Sequence, residues 1–528
     1  MGGPEKVPLG QAGRNIILTG RFMDPQPPDK NTKKEEKMSL YEIMSTIDGF
    51  LWGAPYLYGL IGIGIILVLS SHGFVIRRFG HIMRNTVGKL TSEESRKKDN
   101  EGRSVSAFEA LCVALGNCVG SGNISGVAAA IAVGGPGALL WMWIWAFFAM
   151  TVKFAEGTLA SYYRKKNEDG EYEGGPCHYI YEGIGMDKGW KVGFIIAGLF
   201  AFAFFCMFLS GSQASPVAET LQASFGIPMM ATTIVFCACV IYSVWNGLPR
   251  LLKILGKLVP WMCCLYILCG IIIIIKHIGQ VPAAFGLIFK GAFTGQAATG
   301  GFVGATLATV VRTGVARAVG SNDAGLGTAP MVYARTNTPH PVKAGLWGAA
   351  EVFIDTIIIC SITGFACILS GLWCNGETSM TLAISVFTQE FGAFGKILIC
   401  LAILLFGFTT ASTALWYYNE ALMFMLRNHP GLKKPLSTLF KIVFCVPDLF
   451  IMATLTYTGS DFNLYWEFVN VIIWFPLLWN VLALLLLSPK FSALVKDYEA
   501  RFLGKGTVDP NFQLFYMTEP DKDVEIRK

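Results

Sequence analysis

The sequence predicts an all-α, polytopic membrane protein of about eleven transmembrane helices, built as a five-plus-five inverted repeat with two discontinuous helices. Three observations lead there. Of 528 residues, 53% are hydrophobic and 15% charged, against about 25% charged in soluble domains. Apolar runs near the roughly 20 residues that cross a bilayer recur from Leu51 to Leu487. Two of these runs are interrupted at mid-depth by glycine and polar side chains. The composition excludes a soluble enzyme. A net charge of +6 could suggest a nucleic-acid partner, but the basic residues sit in short loops between apolar runs, where they set topology. The expected partner is the lipid bilayer, and no nucleic acid.

Residues 1–45 are polar, with Lys30, Lys33, Lys34 and Lys37, and read as a mostly disordered tail. The segment beginning Met1-Gly2-Gly3-Pro4 has no apolar core of a signal peptide. Gly2 is not followed by Ser or Thr at position 6, where Lys6 stands, so myristoylation is set aside. Spans then fall near 52–72, 106–133, 138–162, 191–211, 228–245, 257–276, 300–334, 345–370, 396–425, 436–456 and 464–487. The seventh is the least apolar, because Arg312 and Arg317 lie within it. These spans divide the chain into an extra first span with a basic loop (46–105), two five-helix repeats (106–290 and 291–488) and a polar tail (489–528).

Loops after odd-numbered spans are basic. They hold Arg77, Arg78, Arg84, Lys89, Lys97 and Lys98, then Arg164 to Lys166, then Arg250 and Lys253, and later Arg335, Arg427, Lys433 and Lys434. Loops after even-numbered spans hold Lys276 and Lys290. The positive-inside rule therefore places the C-terminus in the cytoplasm and the N-terminus outside, in a cell (plasma) membrane. The basic residues of the N-terminal tail run against this orientation. Most of the 14 cysteines lie inside apolar runs, where the thiol behaves as a small apolar group. No Cys/His spacing suggests a metal site, and no cofactor is expected.

With the first span set aside, spans two and seven open two five-span sets. An odd number of spans per set inverts the second relative to the first. Span two breaks at Gly116-Asn117-Cys118-Val119-Gly120-Ser121-Gly122-Asn123, and span seven at Gly320-Ser321-Asn322-Asp323-Ala324-Gly325-Leu326-Gly327. Paired broken helices in inverted repeats point to a transporter binding site. Unwinding exposes backbone groups that hydrocarbon cannot satisfy, and is tolerated where protein or ligand replaces water. The N-terminal ends of half-helices suit a carboxylate; their C-terminal carbonyls suit a hard cation. The G-x-x-x-G spacings at 116/120 and 122/126 would equally serve close helix packing. Packing does not need Asn117, Ser121, Asn123 and Ser125 as well. Asn123-Ile124-Ser125 matches a glycosylation sequon but lies inside a span.

The run GSGNISGVAAAIAVGGPGALLWMW from Gly120, KFAEGTLA from Lys153, GEYEGGP at 170–176 and SNDAGLGTAP from Ser321 resemble the signatures of the alanine or glycine:cation symporter family, over about residues 50–490. The resemblance implies a sodium- or proton-coupled importer of a small neutral amino acid, with the inverted-repeat fold of the bacterial leucine transporter. It also implies roles. Backbone amides of Ser121 and Gly122 would receive the substrate carboxylate, with Asn123 orienting it or serving a second ion. Gln213 would reach the substrate, and the backbone from Ser321 through Asn322, Asp323 and Ala324 to Gly325 would face its ammonium group. Carbonyls of Gly116 and Val119 with hydroxyls of Thr409 or Thr410 would hold sodium as co-substrate; a proton stays open as the coupling ion.

Span nine departs from the family pattern of a Thr followed four residues later by a Trp, then a Tyr pair. Here Trp416 directly precedes Tyr417-Tyr418 and is the candidate aromatic wall of the site. Depending on register, Leu415 or Ala414 takes the place of the family Trp. A pocket without that Trp would admit a side chain larger than alanine's. Asp323 is the foremost ionisable residue within a span, as ion ligand, ammonium partner or turn-stabilising acid. Glu156 is expected to pair with Lys153 at i,i+3, and Arg312 and Arg317 with acids such as Glu219. Glu351, Asp355, Glu420 and Glu467 read as partly buried partners. The sequence reads as a secondary active transporter, not an enzyme, for which a monomer is one possible state. The rival is an amino-acid sensor or channel on the same fold; the asymmetric single-chain site lacks the repeated rings of a channel.

Overall fold

The structure is a computed structural model and describes residues 40–98, 104–167, 170–211, 213–294, 307–457 and 463–516. Most of the predicted N-terminal tail, the start of span seven and the end of the C-terminal tail lie outside the described residues. All described long elements are helices; one two-residue antiparallel ladder, Lys165–Lys166 with Tyr172–Glu173, closes a loop.

Helix α1 (Leu40–Leu51) precedes α2 (Ala54–Ser70). The second predicted span is two helices, α3 (Ala107–Cys118) and α4 (Ser125–Gly134). They are bent by 66° at the break. Then follow α5 (Ala138–Tyr162), α6 (Val192–Cys206), α7 (Ala214–Phe225), α8 (Met229–Val244), α9 (Leu248–Lys276) and α10 (Val281–Thr294). The second half holds α11 (Leu307–Asn322), α12 (Pro341–Val352), α13 (Ser361–Ser370), α14 (Ser379–Phe391), α15 (Ala393–Met425), α16 (Pro430–Val443), α17 (Val446–Tyr457), α18 (Asn463–Leu486) and α19 (Ser488–Leu503).

Among the described residues, seven helical stretches are long and apolar enough to cross a membrane, and the bent pair makes an eighth. Two shorter apolar helices, Tyr58–Ser70 and Met229–Val244, coincide with predicted spans one and five. The remaining one, predicted span seven, is α11, which ends at Asn322 in the second break and resumes at Pro330. Its 16 described residues are too short to be counted among these spans, and Arg312 and Arg317 lie within them. Helices α10 and α14 fall between predicted spans, in stretches the sequence reading left unassigned.

Sequence features explain the ends of α3. Ser106 Oγ accepts from the Glu109 backbone while Glu109 Oε2 accepts from the Ser106 backbone, a capping box that starts the helix. Helix α5 lies against α12 through small residues: a Cβ on Gly157 would stand 3.0 Å from the Gly345 Cα, and one on Gly345 would stand 2.5 Å from the Phe154 carbonyl. Glycine alone permits this approach. Between α12 and α13 the helix widens to a π-helical stretch, Phe353–Cys360, which rotates Asp355 toward the breaks.

The face that carries the basic loops is tied together by polar contacts. Val105 N–H donates to the Arg335 carbonyl (2.9 Å) and Asn337 N–H to the Val105 carbonyl (3.3 Å). The segment entering α3 is thus joined to the segment leaving the second break. The tail beyond 489, predicted polar, forms α19 and an irregular stretch whose Tyr516 N–H donates to the Tyr162 carbonyl at 2.9 Å. His340 binds α19: Val342 N–H donates to Nδ1 (3.1 Å), so Nε2 carries the hydrogen and donates to Asp497 Oδ2 (3.1 Å). Burial holds the His340 pKa below the usual range. Burial pushes Asp497 upward, but hydrogen bonds from His340 and Arg501 outweigh it and hold the carboxyl below its usual range. One grouping has no signature in the sequence: the ligand atoms of Cys237, Cys445 and Asp448 lie within 4.8 Å of one another.

Candidate substrate and ion site

The first break begins at Val119, which ends α3, and continues as a single 3₁₀ turn, Ser121–Asn123. Asn123 Oδ1 accepts from the Gly120 N–H at 3.0 Å and closes that turn. Among the described residues, no backbone carbonyl or side chain accepts from the N–H groups of Ser121 or Gly122. Gly122 is exposed, and a Cβ built on it would meet nothing within 4 Å. The Gly122 donor therefore faces open space in the turn before α4, next to the N–H of the buried Ser121, an arrangement suited to a carboxylate. The Ser121 hydroxyl donates to Gln213 Oε1 in a short contact, which brings the start of α7 to the break.

Carbonyls at the end of α3 converge on α15. Thr410 Oγ1 lies 3.2 Å from the Gly116 oxygen, 3.1 Å from that of Asn117 and 3.5 Å from that of Val119. Oxygens bonded to a hard cation at about 2.3–2.6 Å stand about 3.3–3.7 Å apart at neighbouring octahedral corners. One hydroxyl cannot donate to three carbonyls at once, so this oxygen cluster fits a cation. Thr409 places its Cβ, not its hydroxyl, beside Gly116; its Oγ1 turns to the Phe406 carbonyl at 3.0 Å and the Met262 sulfur at 3.8 Å, so of the two predicted hydroxyls only that of Thr410 meets the cluster.

The second break is fastened by acids. Asp323 takes φ +52, a left-handed conformation that Asp tolerates better than most residues, and its Oδ2 accepts from Asn117 Nδ2 at 2.6 Å. Thr413 Oγ1 supports Asn117 from behind at 3.2 Å. Asp355, fully buried, accepts from Asn123 Nδ2 (2.6 Å), Ser321 Oγ (2.6 Å) and Thr356 Oγ1 (2.8 Å). Asn322 accepts from the Ala324 N–H at 3.1 Å, and Gly325, at φ +92, offers its carbonyl to Asn480 Nδ2 at 2.7 Å.

The structure thus brings Gly116, Val119, Ser121, Gly122, Asn123, Gln213, Ser321, Asn322, Asp323, Thr409 and Thr410 together. Asn123 is 1% exposed and spends its amide on Asp355 and Ser321, so it braces the breaks and does not face the open space. The Ala324 N–H and Gly325 carbonyl are already taken by protein groups. Trp416 is not part of the group: it lies under Arg335, 5.5 Å from guanidinium to ring, and Arg335 is held by Glu420 at 2.6 Å and Glu171 at 3.2 Å.

The expected Lys153–Glu156 pair does not form. Lys153 Nζ binds Glu351 on α12 at 3.0 Å, with both side chains 1% exposed, and Glu156 accepts from Asn480 at 2.6 Å. Glu351 also accepts from Tyr333 at 2.9 Å. A buried ammonium takes the partner that desolvates with it, and helical spacing does not reveal that choice. No ion pair joins Arg312 or Arg317 to Glu219 among the described residues. Arg317 instead packs its stem near Gly126. Sequence reasoning missed Asn117, Asp355, Thr413 and Asn480 as organisers; an acid within the apolar run FIDTIIIC was the available signal for Asp355.

With this geometry in place, comparison with known proteins is decisive. The profile of the sodium:alanine symporter family matches residues 37–513. The chain belongs to that family. Among relatives, a Haemophilus influenzae uncharacterized transporter is 36% identical over 471 residues, 88% of this chain and 97% of its own length. The sodium/alanine symporter AgcS of Methanococcus maripaludis is 33% identical over 461 residues, 85% and 95% of the two chains. A probable sodium/glutamine symporter of Bacillus subtilis, GlnT, is 30% identical over 474 residues, 90% and 93%. The symporter is therefore a multi-pass membrane transporter and not an enzyme. In fold it is similar to a Na+-coupled sialic acid symporter in a substrate-bound, outward-open state, with TM-score 0.50 and 13% identity over 83% of this chain and 98% of that one.

Proposed function

We propose that this symporter couples inward sodium movement to uptake of a small neutral amino acid, such as alanine or glycine, by alternating access. The observation that supports this reading most strongly is the convergence of the Gly116, Asn117 and Val119 carbonyls on the Thr410 hydroxyl. Sodium sits in that cluster and fixes the end of α3. The substrate carboxylate then caps the free N–H groups of Ser121 and Gly122, beside Gln213. Its ammonium group points across the breaks toward Asp323 and the backbone from Ser321. Binding of either ligand organises the same turn, which is the physical root of coupling. The five-plus-five repeat supplies the two bundles that rock around this point, with the basic loops and C-terminus cytoplasmic, the N-terminus outside and the protein in the plasma membrane.

The pocket also admits side chains larger than alanine's methyl, because Leu415 or Ala414 stands where the family carries Trp and because Trp416 belongs to the Arg335 cluster. A relative named for glutamine agrees with that range. The test is uptake into liposomes containing purified protein, with labelled alanine and glycine and an inward sodium, proton or potassium gradient. Accumulation above equilibrium with sodium alone is expected, with glutamine competing. Accumulation driven only by protons, or none under any gradient, would contradict the coupling; competition by glycine and alanine alone would contradict the larger pocket.

A further inference from the structure

A cavity of about 470 Å³ opens away from the breaks, on the face that carries the basic loops. Its walls come from three parts of the chain. One is the connection between α2 and α3, with the short helices Phe79–Asn85 and Glu93–Arg96. The second is the turn after the second break with the start of α12, and the third is Tyr498 of α19. Lys89, Lys97 and Lys343 line it, and the one carboxylate among the described lining residues is Glu94.

That carboxylate is already shared, since Lys89 Nζ lies 2.7 Å from Glu94 Oε2. Lys343 faces the Phe502 ring, 4.6 Å from its centroid. Among the described residues, no carboxylate lies within ion-pair distance of Lys97 or Lys343. Three ammonium groups thus meet one carboxylate, in a concavity that also presents the amide of Asn337. A cleft with excess charge of one sign concentrates counter-charge, and lysine is an effective point-charge ligand for phosphate.

We propose that this cavity binds a phosphate-bearing anion, either the headgroup of an anionic lipid or a free phosphate compound. The lining includes Ala107, the first residue of α3, and the turn at 336–339, which follows the Val105–Arg335 backbone bridge. A bound anion therefore contacts the start of α3 and the turn that follows the second break, and ties these two segments together. The proposal concerns binding and stands independently of which amino acid is carried.

The test uses the full chain in neutral detergent, with two probes. Native mass spectrometry counts bound phosphatidylglycerol against phosphatidylcholine, and calorimetry measures inorganic pyrophosphate. Wild type is expected to prefer one anionic probe; preference for phosphatidylglycerol assigns the lipid source, and binding of pyrophosphate alone assigns the free anion. The Lys97→Gln, Lys343→Gln double variant should lose about fivefold in affinity for that probe, while Lys343→Arg retains it. Glu94→Gln, an exposed change that spares the fold, should tighten binding about threefold by releasing Lys89. The proposal is overturned if neither probe binds above phosphatidylcholine, or if the double variant and Glu94→Gln both bind as wild type does.

Discussion

At the first break the unwound backbone is met by neutral groups: the Thr410 hydroxyl on three carbonyls, the Asn123 amide on one N–H, and nothing on the N–H groups of Ser121 and Gly122. At the second break the Ala324 N–H is met by the Asn322 amide and the Gly325 carbonyl by that of Asn480, while carboxylates fasten the side chains around them. Asp323 takes Asn117, Asp355 takes Ser321 and Asn123, and Asn480 takes the Gly325 carbonyl. Unsatisfied backbone at membrane depth costs several kcal/mol per group, so the two solutions differ in kind. The second break is closed by its own protein. The first keeps donors free, and on the function proposed above it is the side that senses sodium and substrate while the second is the frame against which it moves.

This contrast predicts a ranking of substitutions. The largest effect belongs to Asp355→Asn, which sets an amide donor against the donors of Asn123 and Ser321. It should destabilise by about 3 kcal/mol, seen as a lower melting temperature in detergent and reduced yield. A melting temperature equal to wild type would show that the second break does not depend on that acid. Next comes Gly120→Ala. A Cβ there stands 2.9 Å from Thr410 Oγ1 and pushes the hydroxyl off the carbonyls, so half-saturation by sodium should rise about tenfold, roughly 1.4 kcal/mol.

Gly122→Ala sharpens the comparison, because its Cβ enters open space. Folding and sodium half-saturation should stay as in wild type, while the KM for alanine rises about fivefold as the methyl group meets the carboxylate. An unchanged KM would remove Gly122 from the substrate path. The smallest effect lies outside both breaks. His340 is held neutral in the fold, whereas in the unfolded chain it takes up a proton near pH 6.5. The unfolded state then binds more protons, so stability falls as pH drops below about 6.5 and levels out below the lowered folded pKa. Asp497, held low, adds a loss only below about pH 4. His340→Ala should flatten the upper part of a melting-temperature profile between pH 7 and 5.

The first break was legible in the sequence because glycines and amides stand out against an apolar run, whereas Thr409 and Thr410 were pointed to only by the family resemblance. Trp416 was not placed correctly by chain position alone. It follows Thr409 by seven residues, about 10.5 Å along the helix on nearly the same face, which carries it two turns toward Arg335. Lys153 was misread for a related reason. Local spacing offers Glu156, but the partner is Glu351, 198 residues away, and only packing of α5 against α12 brings it within reach. Asp355 gave a signal of residue type, yet its direction depends on the π-helical stretch Phe353–Cys360, which no period in the sequence marks.

The account rests on sodium binding where the α3 carbonyls meet Thr410, and the direct measurement is sodium-titrated binding of labelled alanine to purified protein, wild type beside Thr410→Val. The isosteric change removes one oxygen and keeps the volume. The account predicts an unchanged melting temperature without sodium, and a sodium half-saturation raised about tenfold or more, with Thr410→Ser restoring it. Superimposable sodium curves for wild type and Thr410→Val would contradict it.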